Sequence, residues 1–217
     1  MSTPLTGQTI INKFNLYVGD QSELSTQDTL DLENKIYDDI LNQLPWEFLK
    51  KVATGSILQD ANGYYITLPY DFRYFIENNQ RTDNSIGMDN NAVAKVVFVG
   101  SNYVPYQIVN FSDRRQFRAT GGNYCYPDIA NQQIRFFQTP VDTTYEFDYI
   151  YNWPALTLIT SPLFPADFHD MIYQGMAVDS VIINLFDRSH SYAKENQMAY
   201  NDMLSKLKYW NSLQTFN

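Results

Sequence analysis

Apolar residues along this chain change their spacing twice. From Ile10 to about Leu44 they recur every three or four positions; from Val52 to about Tyr151 they alternate or fall in short runs; from Phe168 onward the helical spacing returns. A strand-rich block between two helical ends is the order of an α+β protein.

Ile10, Ile11, Phe14, Tyr17 and Val18 share one helical face, with Thr6 or Thr9 as cap and Gly19-Asp20 as stop. Ser25-Thr26-Gln27-Asp28 has the form of a capping box, and Leu30, Tyr37, Ile40, Leu41 and Leu44 predict a second helix that Pro45 ends. Trp46, Phe48 and Leu49 then read as an aromatic hinge packed under the sheet that follows.

Three hairpins are predicted in the middle: 52–58 with 64–68 about Asn62-Gly63, 92–99 with 103–109 about Gly100-Ser101-Asn102, and 134–137 with 145–151. Pro105 suggests an edge strand. In the last strand Tyr145, Phe147, Tyr149 and Tyr151 alternate with Glu146 and Asp148, which predicts one buried aromatic face and one wet acidic face. Stretches 77–91 and 111–130 read as loops. After Pro165, the residues Phe168, Met171, Ile172, Gly175, Val178, Ile182 and Leu185 predict a helix to about Phe186. Tyr192, Ala199, Met203, Leu207 and Trp210 predict another, and the short connection makes the two an antiparallel hairpin. The expected architecture is α+β: N- and C-terminal helices (1–51 and 161–217) form one helical bundle, and 52–160 form a central antiparallel strand-rich lobe.

Composition narrows the function classes. At 217 residues with 44% hydrophobic and 18% charged residues, the chain can bury a sizeable core, and 17 Tyr with 14 Phe suggest interfaces. The net charge of −9 leaves no basic arm for gripping a phosphate backbone. One cysteine excludes an internal disulfide. The first residues lack the layout of a signal peptide and no apolar run reaches membrane-spanning length, so a soluble chain folded in the cytoplasm, with no membrane partner, is the expectation.

Candidate chemistry is sparse. His169, His190 and Cys125 form too poor a set for zinc, and structural or surface roles are expected for both histidines. Cys125, without a Cys partner, reads as a packed loop thiol. The stretch from Asp83 to Asn91 alternates like a calcium loop but places Ala94 where a bidentate Glu belongs, and Gly121-Gly122 opens no phosphate cradle. Glu146 and Asp148 read as solvated charges. No catalytic residue, metal ligand or cofactor is expected. Arg114, Arg115 and Arg118, with Phe117, form a local basic patch for DNA phosphates, for an acidic partner, or for the chain's own acids.

Two stretches carry a resemblance: Trp46-Glu47-Phe48-Leu49 running on to Leu68-Pro69-Tyr70-Asp71-Phe72-Arg73, and Phe164-Pro165-Ala166-Asp167-Phe168-His169 opening the helical tail. In this order they resemble a tail adaptor of tailed bacteriophages, of the head-to-tail connector (head-completion or tail accessory) type. The likeness covers 8–75 and 161–212, while 77–150 matches only as generic β structure. It implies a structural virion protein of the neck or tail, assembled in the host cytoplasm and not an enzyme. Copies would form a ring, usually dodecameric, around the DNA channel, with the portal protein above and a tail protein below. The helical hairpin would then supply portal or subunit contacts through Ile182, Met203, Leu207 and Trp210. Trp46, Phe48, Leu68 and Phe72 would be core residues joining the helical and strand-rich parts. Double-stranded DNA would pass without tight binding, with the acids between Asp20 and Asp39, or Glu146 and Asp148, as a lining. Two rival functions are an aromatic-rich carbohydrate- or peptide-binding module using Tyr124 and Tyr126, and a hydrolase with carboxylates from the sheet loops.

Overall fold

The computed structural model describes residues 3–19, 24–76, 95–179, 182 and 190–214. The chain divides into two compact units, Met1–Phe48 with Pro154–Asn217 and Leu49–Trp153. The described helices are α1 (Gly7–Val18), α2 (Thr26–Leu41), α3 (Arg114–Thr120), α4 (Asp170–Val178) and α5 (His190–Gln214). All but α3 belong to the first unit.

In the helical unit, Thr6 caps α1 by accepting the Thr9 N–H, and Gly19 ends it at φ 74, a left-handed conformation that glycine adopts without strain. The capping box of α2 is present in both directions: Ser25 Oγ accepts the Asp28 N–H at 3.1 Å and the Asp28 carboxylate accepts the Ser25 N–H at 3.2 Å. Its buried face is Thr29, Glu33, Ile36, Tyr37, Ile40 and Leu41, so a carboxyl sits within the apolar stripe. Helix α4 packs against α1, α2 and α5. Gly175 permits this approach, because a Cβ there would stand 2.6 Å from Ile36 Cγ2 and 3.0 Å from Tyr200 Cε2.

The helix expected to reach Phe186 stops at Val178. Asp179 turns to φ −60, ψ 139, its N–H bonded to the Met176 carbonyl, and its carboxylate takes the Lys35 ammonium at 2.6 Å. Ile182 is helical and buried; residues 180, 181 and 183–189, with Leu185 and Phe186, lie outside the described residues.

The second unit holds β1 (Lys50–Ser56), β2 (Leu58–Asp60), β3 (Gly63–Thr67), β4 (Phe72–Phe75), β5 (Val96–Val99), β6 (Val104–Ile108), β7 (Tyr124–Asp128), β8 (Gln133–Phe136) and β9 (Thr144–Tyr151). The sheet order is β1-β9-β5-β6-β7-β8-β3-β2, with β4 beside β9. β1 and β2 stand at opposite ends of that order, yet only Ile57 separates them in the chain. The sheet must therefore curl back on itself and is nearly closed around one core: Ala53, Ile66, Leu68, Val97, Val99, Tyr106, Cys125, Ile134, Phe136, Phe147 and Tyr149.

Several strand partnerships differ from the sequence expectation. β5 and β6 do form a hairpin, and β2 pairs β3 across Asn62-Gly63. β1, however, pairs β9 along its whole length, and β8 lies between β7 and β3, so 134–137 and 145–151 are no hairpin. Alternation reports which side chains share a face; it does not report the neighbouring strand. Nor is the sheet purely antiparallel: Gln107 and Ile108 of β6 run parallel to Tyr124 and Cys125 of β7. A parallel pair needs a crossover, and the stretch 111–130 supplies it with a 3-10 turn (Phe111–Asp113), α3 and β7 itself.

Pro105 is therefore interior. It is tolerated because alternate N–H groups of β6 face β7, as Gln107 does toward the Asn123 carbonyl at 2.9 Å, and β7 has not begun opposite Pro105. On β9, Phe147 and Tyr149 are buried as expected, but Ile150 is fully buried and Glu146 and Asp148 are half-buried, so the second face is not wet. The candidate calcium loop and the stretch 77–91 lie outside the described residues.

Candidate interaction site

The crossover between β6 and β7 carries the basic patch. Phe111 packs tilted against Tyr126 at 5.8 Å and Tyr126 against Phe137 at 5.1 Å, while Phe117 of α3 packs tilted against Tyr124 at 4.8 Å. These ring contacts clamp a seven-residue helix that could not hold its shape alone. Arg114 folds back, its guanidinium 3.7 Å from the centre of the Phe111 ring and donating to the Phe111 carbonyl at 2.7 Å. Arg115 and Arg118 are exposed and three residues apart, hence on one side of α3. Among the described residues neither makes an ion pair.

Tyr124 and Tyr126, offered for carbohydrate or peptide stacking, are half-buried against these rings, which leaves less of their faces open to a ligand. Cys125, between them, is a strand residue rather than a loop one. Its thiol is fully buried 3.8 Å from the Tyr106 carbonyl, and burial pushes its pKa far up, which disfavours the reactive thiolate. Arg135 is a structural cation, forked on Asp60 at 3.2 and 2.8 Å and reaching Asp128 at 3.4 Å. Its guanidinium holds the Asp60 carboxyl below the usual range.

In the helical unit, His169 is buried, accepting the Leu5 N–H at Nδ1 (3.0 Å) and donating from Nε2 to the Phe164 carbonyl (2.9 Å). Burial lowers its pKa, so the neutral ring bridges two segments of backbone. Trp46 is fully buried and donates to the Ile40 carbonyl at 3.1 Å; it stacks on Phe48, and Phe48 meets Trp210 at 6.4 Å. Leu68 belongs to the sheet core and Phe72 packs against it. Of the residues expected at an interface, Ile182 and Leu207 are fully buried in the single chain, and Met203 and Trp210 are half-buried. Exposed on α5 are Met198, Tyr209 and Leu213.

Three polar residues escaped the sequence reading. Asn196 accepts the Tyr17 hydroxyl at 2.6 Å, and Asn211 accepts the Glu47 N–H at 2.8 Å; both are buried on α5. The third, Glu33, is fully buried, and among the described residues neither carboxyl oxygen has a hydrogen-bond partner. Each sits at helical spacing from apolar neighbours, the one signal that could have found it, but polarity alone assigns such residues to water.

Among the described residues no group of three or more His, Cys, Asp or Glu side chains is placed to hold a metal ion, and no helix is long and apolar enough to cross a membrane. What the geometry defines is a protein of the α+β class with two cores, one in each unit. The family model described as SU10 adaptor protein matches residues 5–215, and the chain belongs to that family. Membership makes it a structural adaptor of bacteriophage with the virion as its location. None of the curated proteins compared with it matches.

Proposed function

We propose that the protein is a ring-forming adaptor that docks under the portal and joins the DNA-filled head to the tail. The family match over nearly the whole chain carries this reading. In this picture α1, α2, α4 and α5 close as a bundle, and copies meet neighbours, portal and tail protein around the DNA channel. Because Ile182 and Leu207 are committed to the subunit's own core, portal or subunit contacts from α5 fall to Met198, Tyr209 and Leu213, with Met203 and Trp210 beside them.

Acids suit a lumen through which DNA slides, since no lysine track neutralises and holds the phosphates. Of the acids expected there, Glu33 is buried and Asp20 and Glu23 lie outside the described residues, while Asp28, Asp31, Asp38 and Asp39 are exposed on α2, where they face the channel or a neighbouring copy. The test is the native mass of the purified protein, alone and mixed with its portal. A closed ring seated on the portal is expected. Chains that ignore the portal under conditions where portal rings are intact would overturn the reading.

A further inference from the structure

The surface of α3 raises a question of charge. Copies carrying −9 each repel one another, so a ring of them needs a place where opposite signs meet. Lys13, Lys35, Lys51, Arg135 and Lys206 are each already tied to a carboxylate of their own chain. Among the described residues Arg115 and Arg118 are not; they stand together on a helix whose position the ring contacts of Phe111, Phe117, Tyr124, Tyr126 and Phe137 hold in advance, which lowers the ordering cost of binding.

A surface of opposite sign exists on the same chain. At about 100° per residue, Asp28, Asp31, Asp38 and Asp39 fall within a stripe of α2 roughly 100° wide. All four are exposed, and the basic residue within the stripe, Lys35, is bonded to Asp179 at 2.6 Å. Among the described residues Asp31 accepts from a neutral donor, the Gln27 amide at 2.8 Å.

Resting on the ring reading, we propose that Arg115 and Arg118 of one copy dock on the acidic stripe of α2 of the next. The two patches differ and lie on every copy, which makes the contact head-to-tail, the kind that closes a ring. Arginine forks suit carboxylates, and the surrounding rings supply apolar contact around them.

Sedimentation of the full chain at low and high salt tests this, using wild type, R115E/R118E, D31K/D39K and the four-fold swap. Wild type should self-associate at low salt and weaken as salt is added. Each double variant should associate at least about 10-fold more weakly, and the swap should regain association because the same pairs re-form with signs exchanged. Equal association of wild type and R115E/R118E, a swap that stays weak, or a wild type that is monomeric at low salt would each overturn the proposal. So would loss, in R115E/R118E, of binding to a double-stranded oligonucleotide that wild type holds, which would assign the patch to phosphates. Mixing with the portal separates the two ideas: if R115E/R118E still forms rings there, only the docking contact is wrong. If wild type forms none, the ring reading itself falls.

Discussion

Glu33→Gln should stabilise the protein, and increasingly so as pH rises. The carboxyl is fully buried, both oxygens lack a hydrogen-bond partner among the described residues, and Oε2 faces Gly7, lying 3.3 Å from where a Cβ on that glycine would stand. The segment above it is tied down on both sides: Gly7 and Gln8 donate to the Thr160 and Leu158 carbonyls, and Asn34 bonds both backbone groups of Leu156. Residues 154–165 contain no ionisable side chain, so no counter-charge comes from that direction. Burial alone pushes the Glu33 pKa from 4.5 up to about 8.

Between those values the folded chain keeps a proton that the unfolded chain has released, so stability is full below pH 4.5 and falls as pH rises toward 8. At about 1.4 kcal/mol per pH unit the loss at pH 7 has a ceiling of roughly 3.4 kcal/mol. Local relaxation and water entry lower it to about 2–3 kcal/mol. Gln keeps the shape and cannot ionise. Urea denaturation followed by far-UV circular dichroism should show wild type and variant nearly equal at pH 4.5, separating by about 2–3 kcal/mol at pH 7–8. Parallel stability curves across that range, or a wild type that gains on the variant at pH 8, would refute the reasoning.

Further perturbations follow from the same packing. Trp46→Ala removes a buried ring and its bond to the Ile40 carbonyl and should lower stability by about 3–5 kcal/mol, read from the denaturation midpoint; an unchanged midpoint would contradict the core role. Gly175→Ala forces a methyl against Ile36 and Tyr200 and should cost about 1–3 kcal/mol by thermal melting, whereas a neutral or stabilising effect would show that α4 can shift aside. Cys125 should resist a thiol reagent such as DTNB in the native state and react fully in urea; fast native labelling would mean that the sheet opens there.

Local signals determined much of this protein. Caps, stops and periodicity are interactions within a few residues, which is why Thr6, Ser25 with Asp28, Gly19 and the β5–β6 turn were legible directly. The α+β class followed from the order of the periods. Helix length was less secure: α4 ends at Val178, where Asp179 turns to extended backbone and its carboxylate meets Lys35 from a distant helix. Strand partnership was beyond reach: which strand lies beside β9 depends on how a nearly closed sheet satisfies its edges, and that balance involves residues up to about a hundred positions apart, as Lys50 opposite Ile150 shows. The buried Glu33, Asn196 and Asn211 belong to the same category, since a side chain's polarity is written in the sequence while its access to water is decided only when distant segments close over it.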